Sequence, residues 1–591
     1  MPSYKAPLRD YHFCLYEVFD AAGHMKLPGF DEFTEDVVTP VLEEAAKFAE
    51  QVIFPLNQTG DEEGCTLENG VVRTPTGFKE AYRIFRDGGW PALTCDPEHG
   101  GQGMPHLINV VVEEMMGAAN LSFSLYPGLT RGAYVALKHF GSAEQKHLYI
   151  DRLASGEWTG SMCLTEPQSG TDLGLLRTAA VARADGSYAI TGTKMFISAG
   201  EHDLTPNIIY LVLARLPDAP KGTKGISLFL VPKFLVKEDH SLGARNSVSC
   251  GALEEKMGIH GCSTCVMNFD GAGGWLVGEP HHGLKAMFAM MNTERIAVGI
   301  QGLAAAEASH QNAVAYARQR LQGRAPRGPR NASLPADPII AHPDVRRMLM
   351  TQKALIEGCR ALSLWTARWL DVSERHPNED IRSAAESQVA LLTPVVKAFL
   401  TDSGSEVANL GMQILGGHGY IRANGQEQLV RDARVAQIYE GTNGVQAMDL
   451  LYRKVVLDGG RAFAAFANPI EAHVLGRRLN HELAEFTRPV EAALSLLQEA
   501  TATIIENAAN NPEETGAAAV DYLRLFGLTS LGYLWALMAE VSLPKRNDDF
   551  HRAKIATARF YMQRILPQTA GLHGAILAGA AAVMEMDDTA F

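Results

Sequence analysis

The chain has 591 residues, of which 46% are hydrophobic and 20% are charged, a composition typical of folded globular proteins. Length and composition exclude a mainly disordered chain and a small disulfide-stabilised scaffold. At roughly 150 residues per domain, the length predicts about four domains. Lys and Arg number 53 against 67 Asp and Glu, so the net charge is −14. Such an acidic protein is not expected to bind nucleic acid or anionic membranes non-specifically.

The eight cysteines are scattered along the chain, and the N-terminal residues form no apolar signal-peptide core. Both features favour a cytoplasmic protein. The longest apolar run, residues 525–539, is shorter than the about 20 residues that a membrane span needs, so it predicts a buried helix or subunit interface. Cys262 and Cys265 lie three positions apart in a predicted strand and face opposite sides, which predicts core residues and no metal site.

The first half of the chain changes character near residue 158. Residues 34–157, which follow an N-terminal arm (residues 1–33), are predicted to form a helical domain because apolar residues recur every three or four positions. Residues 158–278 contain short segments rich in β-branched and aromatic residues, separated by Gly, Pro, Asp and Asn, which predicts a small antiparallel β-domain. Asp185-Gly186 predicts a hairpin turn within it.

Helical patterns return after the predicted β-domain. Residues 279–465 predict a second helical domain, and residues 466–591 predict an appended one. The predicted fold class is therefore mainly α with a central antiparallel β-domain, in the order helical, β, helical, plus an appended C-terminal helical domain. Within the second helical domain, the predicted helices span residues 284–320, 343–372, 378–411 and 427–457.

Two motifs in the predicted β-domain suit the close approach of a flat polar ring. In MCLTEPQSGTDLG (residues 162–174), a strand enters a turn of small residues that place no bulk in the way. In KMFISAG (residues 194–200), alternation puts Phe196 and Ser198 on one face. Taken singly, the first is equally compatible with an ordinary strand-turn connection and the second with β-core.

Two further motifs lie in the second helical domain. QILGGHGY (residues 413–420) fits a loop against a phosphate or a neighbouring chain, or a helix C-cap. In RDARVAQIYEGTNGVQ (residues 431–446), Glu440 follows apolar residues. Removal of a carboxylate from water raises its pKa and makes it a usable base near neutral pH. For this motif, a surface Glu at a helix start is the alternative.

Together, in this order and spacing, the four motifs closely resemble those of the acyl-CoA dehydrogenase family of flavoproteins. The resemblance covers about residues 34–460, and LTEPQSGTD and IYEGTN are its specific parts. The N-terminal arm and the helical segment after Pro469 resemble the long branch of the family. Within that branch the chain is similar to the 3-methylmercaptopropionyl-CoA dehydrogenases, and the fatty acyl-CoA dehydrogenases of the same branch look much the same.

The resemblance implies an FAD-dependent enzyme that oxidises an acyl-CoA thioester to the trans-2-enoyl-CoA. A carboxylate removes the α-proton while the β-hydrogen leaves as hydride to flavin N5. The implied substrate is 3-methylmercaptopropionyl-CoA and the product methylthioacryloyl-CoA, as in dimethylsulfoniopropionate catabolism. Alternatives are a medium- or long-chain acyl-CoA dehydrogenase of fatty acid β-oxidation, an acyl-CoA oxidase and, as a non-enzyme, a flavin-bearing DNA-associated protein of the same superfamily.

The resemblance also implies roles for individual residues. Glu440 matches the catalytic base, and Glu294 matches an earlier acidic position that other branches use; we favour Glu440 because those branches lack a Glu in the later motif. The residues matching FAD-binding positions are Met162, Leu164, Thr165, Phe196, Ser198, Arg320, Gln413, Gly417, Thr442 and Asn443. Those expected at the substrate are Thr171, Glu294, Arg295, Tyr439 and Gly441.

The resemblance implies partners as well. The expected electron acceptor is an electron-transfer flavoprotein. A homo-oligomer is expected because flavin contacts come from two chains in this family. A dimer is favoured because the appended segment would cover the surface that other members use to form a tetramer.

Overall fold

The structure is a computed structural model that describes residues 2–591, apart from the side chains of residues 289, 292 and 293. The side chains of Asn292 and Thr293, which precede the predicted site residues Glu294 and Arg295, are therefore outside the described set. Helices contain 61% of the residues, which confirms a mainly α fold. The order of elements, helical, β and again helical, is also as predicted.

Residues 2–157 are mainly helical, and side-chain caps mark some of their helix starts. The Asn120 side chain caps a helix by accepting from the Phe123 amide (3.0 Å), and Ser142 forms a capping box with Gln145. A short hairpin pairs β1 (Thr66–Glu68) with β2 (Val71–Arg73). The helices are α1 (Leu8–His12), α2 (Ala21–His24), α3 (Glu35–Phe48), α4 (Asn57–Glu63), α5 (Phe78–Asp87), α6 (His106–Ala119), α7 (Leu121–Phe140), α8 (Ala143–Gln145) and α9 (Asp151–Ala154), with π-helical turns at Phe13–Val18, Ala49–Ile53 and Lys146–Ile150.

The predicted central β-domain is present, and its strands lie between residues 159 and 277. Its main sheet has the order β10-β11-β5-β4-β6-β3, and β7 pairs with both β11 and β6. Most pairs are antiparallel, but β3 and β4 each pair with β6 in parallel. The strands are β3 (Thr159–Cys163), β4 (Ala179–Ala182), β5 (Tyr188–Ser198), β6 (Ile208–Arg215), β7 (Ile226–Pro232), β8 (Phe234–Val236), β9 (Leu242–Arg245), β10 (Val248–Leu253) and β11 (Thr264–Val277).

Local chemistry explains two features of this sheet. Asp185-Gly186 lies in the tight connection between β4 and β5, where Gly186 has φ +84° and Asp185 Oδ1 accepts from the Ser187 amide at 3.0 Å. This confirms the predicted hairpin turn. Strands β6 and β7 are buried along almost their whole length, which accounts for their continuous apolar sequences, because neither face of either strand meets water.

The helices from residue 283 onward carry the second set of candidate residues. Three long helices match the prediction, but the predicted helix over residues 427–457 is wrong: the chain leaves it after Val435 and re-enters a helix at Asn443. Gly441 has φ +82° and Thr442 caps the next helix, so both residues favour a break. The helices are α10 (Gly283–Gln319), α11 (Pro343–Arg375), α12 (Glu379–Leu415), α13 (Gln426–Val435) and α14 (Asn443–Met448), which continues in a π-helical segment, Asp449–Val456.

The appended segment packs on the preceding helices. Trp535 donates its indole N–H to the Ala354 carbonyl (3.0 Å), and Leu531 and Trp535 lie against Gly358. In residues 2–591, one helix, spanning Glu513–Lys545, is long and apolar enough to cross a membrane, and 78% of its apolar window is buried inside the protein. The predicted buried helix at residues 525–539 lies here. The helices are α15 (Arg461–Gly476), α16 (Ala484–Ala508), α17 (Glu513–Ser542), α18 (Asp549–Phe560), α19 (Gln568–Leu577) and α20 (Ala581–Met584), with a π-helical turn at Tyr561–Ile565.

Contacts divide the chain into two compact units. The first combines the chain up to Glu43 with His106–Glu114 and Val298–Phe591, and the second combines Glu44–Pro105 with Met115–Ala297. The predicted N-terminal helical domain, residues 34–157, contributes to both units. The predicted domain boundaries at residues 33, 157, 278 and 465 therefore stay predictions.

A buried ionic cluster joins distant segments within the first unit. Arg360 of α11 donates to Glu114 (Nε–Oε1 3.0 Å), to Glu307 (2.6 Å) and to Asp10 of the N-terminal arm. Lys554 of the appended segment also donates to Asp10. All five side chains are buried. Because a buried charge must be paired, this cluster ties the arm and the appended helices to the core.

Candidate active site

The predicted cofactor-binding residues of the β-domain lie on β3, in the loop that follows it and on β5, and hydrogen bonds hold these segments side by side. Ser161 of β3 donates its hydroxyl to the Ser198 carbonyl of β5 (2.8 Å), and the Met195 amide donates to the Thr165 carbonyl (2.9 Å). The residues brought together in this way, all exposed or partly buried, are Met162, Leu164, Thr165, Phe196 and Ser198.

A β-bulge presents the aromatic member of this group. In the pairing of β5 with β11, Ile197 opposes Cys265 and Lys194 opposes Met267, so β5 has an extra residue between these pairs. Phe196 occupies the bulge with φ +58°, and 57% of its surface is exposed. A left-handed backbone at an aromatic residue is strained, and strain of this kind is concentrated at functional sites.

A buried ion pair that the sequence did not reveal orders the loop after β3. Lys194 donates to Glu166 Oε1 (2.8 Å) and to the Leu164 carbonyl (2.9 Å). The Glu166 carboxylate also accepts from the Thr178 hydroxyl (2.6 Å) and from the Arg177 amide (2.7 Å). Burial raises the pKa of Glu166, but Lys194 and these hydrogen bonds outweigh it and lower that pKa to about 2. The pair therefore fixes the chain on both sides of Thr165.

Replacing Lys194 with Met is expected to lower the free energy of unfolding by about 3–5 kcal/mol, because it leaves the Glu166 carboxylate buried without its cation. Thermal denaturation measures this loss, and Met at the exposed Lys224 is the matched control. Since folding lowers the pKa of Glu166 from 4.5, its contribution in the native protein is fully present above about pH 4.5 and is lost as the pH falls toward 2. Adding Glu166→Gln to Lys194→Met should restore part of the stability; no restoration would contradict the pair's role.

Glu440 lies in the turn between α13 and α14, in the first unit. It is partly buried and has φ +56°, a left-handed conformation that is uncommon for Glu. Tyr439, the preceding residue, donates its hydroxyl to Gln301 Oε1 on α10. Gln446 Nε2 donates to the Glu440 carbonyl at 3.4 Å. Glu440 is thus held in a constrained turn and not on a regular helix.

The two residues after Gly441 make hydrogen bonds within the chain. Thr442 caps α14 by accepting from the Val445 amide (3.3 Å). Asn443 donates its side-chain amide to Asp402 Oδ1 (2.7 Å) and accepts from Lys397 Nζ (2.8 Å). These bonds show how both side chains shape the turn, and their contact with FAD stays a prediction.

Glu294 and Arg295 belong to the second unit, on α10. Both are buried, at 5% and 9% exposure, and the Arg295 guanidinium lies 5.7 Å from the Phe288 ring. A Cβ at Gly132 of α7 would lie 2.9 Å from Glu294 Oε1, so this glycine makes room for the carboxylate. Glu294 is thus a buried acid that lies close to α7.

The remaining predicted residues are exposed. Thr171 is exposed in the loop after β3. Arg320 is exposed just after α10, and its guanidinium donates to Gln322 Oε1 at 3.4 Å. Gln413 and Gly417 are exposed at the end of α12, where a Cβ at Gly417 would meet nothing within 4 Å. Exposure leaves all four accessible to a ligand.

The β-domain group fits the isoalloxazine part of FAD. Phe196, Met162 and Leu164 offer apolar surface, while Thr165 and Ser198 offer hydroxyls, so a flat ring with a polar edge finds both kinds of contact. Among the described side chains, no cluster of three or more His, Cys, Asp or Glu is arranged to hold a metal ion. Cys262 and Cys265 are buried free thiols.

Four family models match successive parts of the chain. They are the N-terminal domain (residues 38–157), the middle domain (161–272) and the C-terminal domain (281–454) of acyl-CoA dehydrogenase, followed by the acetyl-CoA dehydrogenase C-terminal like model (461–587). The last match covers most of the predicted appended domain.

Relatives match over their whole length. The chain is 44% identical to 3-methylmercaptopropionyl-CoA dehydrogenase of Ruegeria pomeroyi, over 97% of this chain and 98% of that protein. It is 34% identical to the broad-specificity linear acyl-CoA dehydrogenase FadE5 of Mycobacterium tuberculosis, over the full length of both.

The fold also matches that of solved structures. The structure of Caenorhabditis elegans ACDH-11 in complex with C11-CoA aligns with a TM-score of 0.77 at 21% identity, over 95% of this chain and 91% of that one. Close similarity along the whole sequence and the same order of domains lead to one conclusion. The chain belongs to the acyl-CoA dehydrogenase family, whose members use FAD to oxidise the CH–CH bond next to the thioester of an acyl-CoA.

Proposed function

We propose that this enzyme converts 3-methylmercaptopropionyl-CoA to methylthioacryloyl-CoA, with Glu440 as the catalytic base. The substrate follows from the 44% identity to the Ruegeria pomeroyi enzyme over nearly the full length of both chains. The observation that supports the base is the position of Glu440: a partly buried carboxylate in a strained turn, held between two helices. The proposed pathway is dimethylsulfoniopropionate catabolism.

In the proposed mechanism, the Glu440 carboxylate takes the α-proton of the thioester. That proton is far less acidic than any side chain, so negative charge on the thioester oxygen needs a donor, and the backbone N–H of Glu440 supplies one. Exclusion of water strengthens that hydrogen bond. Bound FAD supplies the acceptor for the β-hydrogen. Tyr439, Gly441, Thr171, Glu294 and Arg295 complete the proposed substrate contacts.

Two sets of residues hold the cofactor in this proposal. Phe196 and Ser198 of β5 and the loop residues Leu164 and Thr165 bind the flavin ring together with Met162; their adjacency supports this role. The exposed residues Arg320, Gln413 and Gly417 bind its phosphate and adenosine parts, together with Thr442 and Asn443. An electron-transfer flavoprotein accepts the electrons, and the protein works as a cytoplasmic homodimer.

A second candidate is a dehydrogenase of unsubstituted fatty acyl-CoA. It is supported by the similarity to FadE5 and by 32% identity to butyryl-CoA dehydrogenase of Syntrophomonas wolfei over the whole chain. The two candidates differ only in the acyl group, so a comparison of CoA esters separates them.

The decisive measurement is kcat/KM for a panel of CoA esters with a ferrocenium acceptor. We expect 3-methylthiopropanoyl-CoA to exceed butanoyl-, octanoyl- and palmitoyl-CoA by at least about tenfold, since one misfitting methylene in an apolar pocket costs that much. Pentanoyl-CoA, in which a methylene replaces the sulfur, is the matched control for chain length. A maximum at butanoyl-, octanoyl- or palmitoyl-CoA would overturn the proposed substrate and favour the second candidate.

A further inference from the structure

The turn that carries Glu440 is closed at its base. The backbone N–H of Asn443 donates to the backbone carbonyl of Gln437 at 3.1 Å, so residues 437–443 form a loop with Glu440 at its middle. Glu440 and Gly441 both have positive φ, at +56° and +82°. An L-residue in this conformation persists only when its surroundings enforce it.

Asp402 of α12 holds both ends of this loop. Its Oδ1 accepts from Gln437 Nε2 at 2.6 Å and from Asn443 Nδ2 at 2.7 Å. One carboxylate oxygen thus ties the start and the end of the turn to the same point on a long helix. Charge-assisted hydrogen bonds of this kind are short and strong.

Lys397, five residues before Asp402 on α12, fixes the orientation of the Asn443 side-chain amide. Its ammonium is fully buried and donates to Asn443 Oδ1 at 2.8 Å. Lys only donates and a carboxylate only accepts, so the amide oxygen must face Lys397 and the amide nitrogen must face Asp402. Asn443 Nδ2 also donates to the hydroxyl of Thr401 at 2.9 Å. In the sequence, Thr401 lies between Lys397 and Asp402.

We propose that Lys397, Asp402, Gln437 and Asn443 form a clamp whose function is to position Glu440 for removal of the α-proton. The clamp rests on the proposed role of Glu440 as base. Its members are positioning residues: they act through the turn and set the rate of proton removal. They affect the affinity for the thioester less, because the proposed contacts of Thr171, Glu294 and Arg295 lie outside the turn. A purely structural role would instead lower stability and leave proton removal in the folded enzyme unchanged.

The test isolates proton removal from oxidation. In (methylthio)acetyl-CoA the β-position is sulfur and carries no hydrogen, so the holoenzyme can only exchange the α-protons with D₂O, which NMR measures. Because Asn443 is also a proposed FAD contact, exchange rates are compared per bound FAD. On that basis we expect Asn443→Ala to slow exchange about 100-fold, the effect of a misplacement of roughly 1 Å, while the Kd of the ester changes much less. Asp402→Ala should act similarly, and Asp402→Asn, which keeps an accepting oxygen, should retain most of the exchange rate.

Gln352→Ala is the matched control. Gln352 is a buried amide on α11 that donates to the Val407 carbonyl of α12 at 3.0 Å and has no part in the turn. It should lower the melting temperature without slowing exchange. Equal slowing in Gln352→Ala and Asn443→Ala, or normal exchange in Asn443→Ala, would overturn the clamp. Normal exchange in Glu440→Gln would instead overturn the base itself, so the two failures are distinguishable.

Discussion

Replacing Glu440 with Gln is expected to slow reduction of the bound flavin by about 10³–10⁴-fold, the contribution of a well-placed general base. Gln has nearly the same shape and keeps the turn, but its amide cannot accept the α-proton. Stopped-flow absorbance under anaerobic conditions measures the rate, and the Kd of the substrate should change little. A loss of this size, with binding intact, locates the defect in proton removal.

Glu294→Gln is the matched control because Glu294 is the other acid in a family base position. It is buried within the second unit, beside Gly132 of α7. We expect its replacement to slow flavin reduction by less than about tenfold, because a residue that only supports the site makes no bond to the reacting proton. If Glu294→Gln abolishes reduction and Glu440→Gln preserves it, the two acids exchange roles and the proposed mechanism is wrong.

Local sequence patterns predicted the strands and long helices around the site, but they did not predict the break between α13 and α14 that carries Glu440. Helical periodicity on both sides led to one continuous helix over residues 427–457. The signals for a break, Gly441 and the helix-capping Thr442, were present in the sequence, but each occurs often enough inside or at the edges of helices to be outweighed. In the folded chain, Asp402 on another helix also binds both ends of the turn, a contact between distant residues that no local pattern predicts.

The supporting ion pairs were invisible to sequence reasoning for a different reason. Lys194 and Glu166 are 28 residues apart, and Arg360 and Asp10 are 350 apart. Neither pair has a local spacing that predicts contact, as residues three or four apart on a helix do. Motifs identify the candidate site residues from the sequence, whereas the partners in these buried ion pairs can be identified only from the folded structure.

The buried cluster around Arg360 gives the second large expected effect. Arg360→Met should lower the free energy of unfolding by about 3–5 kcal/mol, because the carboxylates of Asp10, Glu114 and Glu307 lose their shared cation. At the unfolding entropy of large domains, this corresponds to a fall in Tm of about 10 °C. Met at the exposed Arg83, which pairs with Glu80 and Asp87, should leave Tm almost unchanged.

The size of this loss should depend on pH in a defined direction. Burial raises the pKa of Glu114 from 4.5 to about 7 even beside Arg360, so folding favours its protonated form. Its contribution to stability is present below about pH 4.5 and is lost as the pH rises through 7, and without Arg360 the carboxyl binds its proton still more tightly. The defect of Arg360→Met should therefore be smaller at pH 5.5 than at pH 8, and Glu114→Gln in the same chain should remove much of that difference. A pH-independent defect would mean that the variant loses packing and not charge pairing.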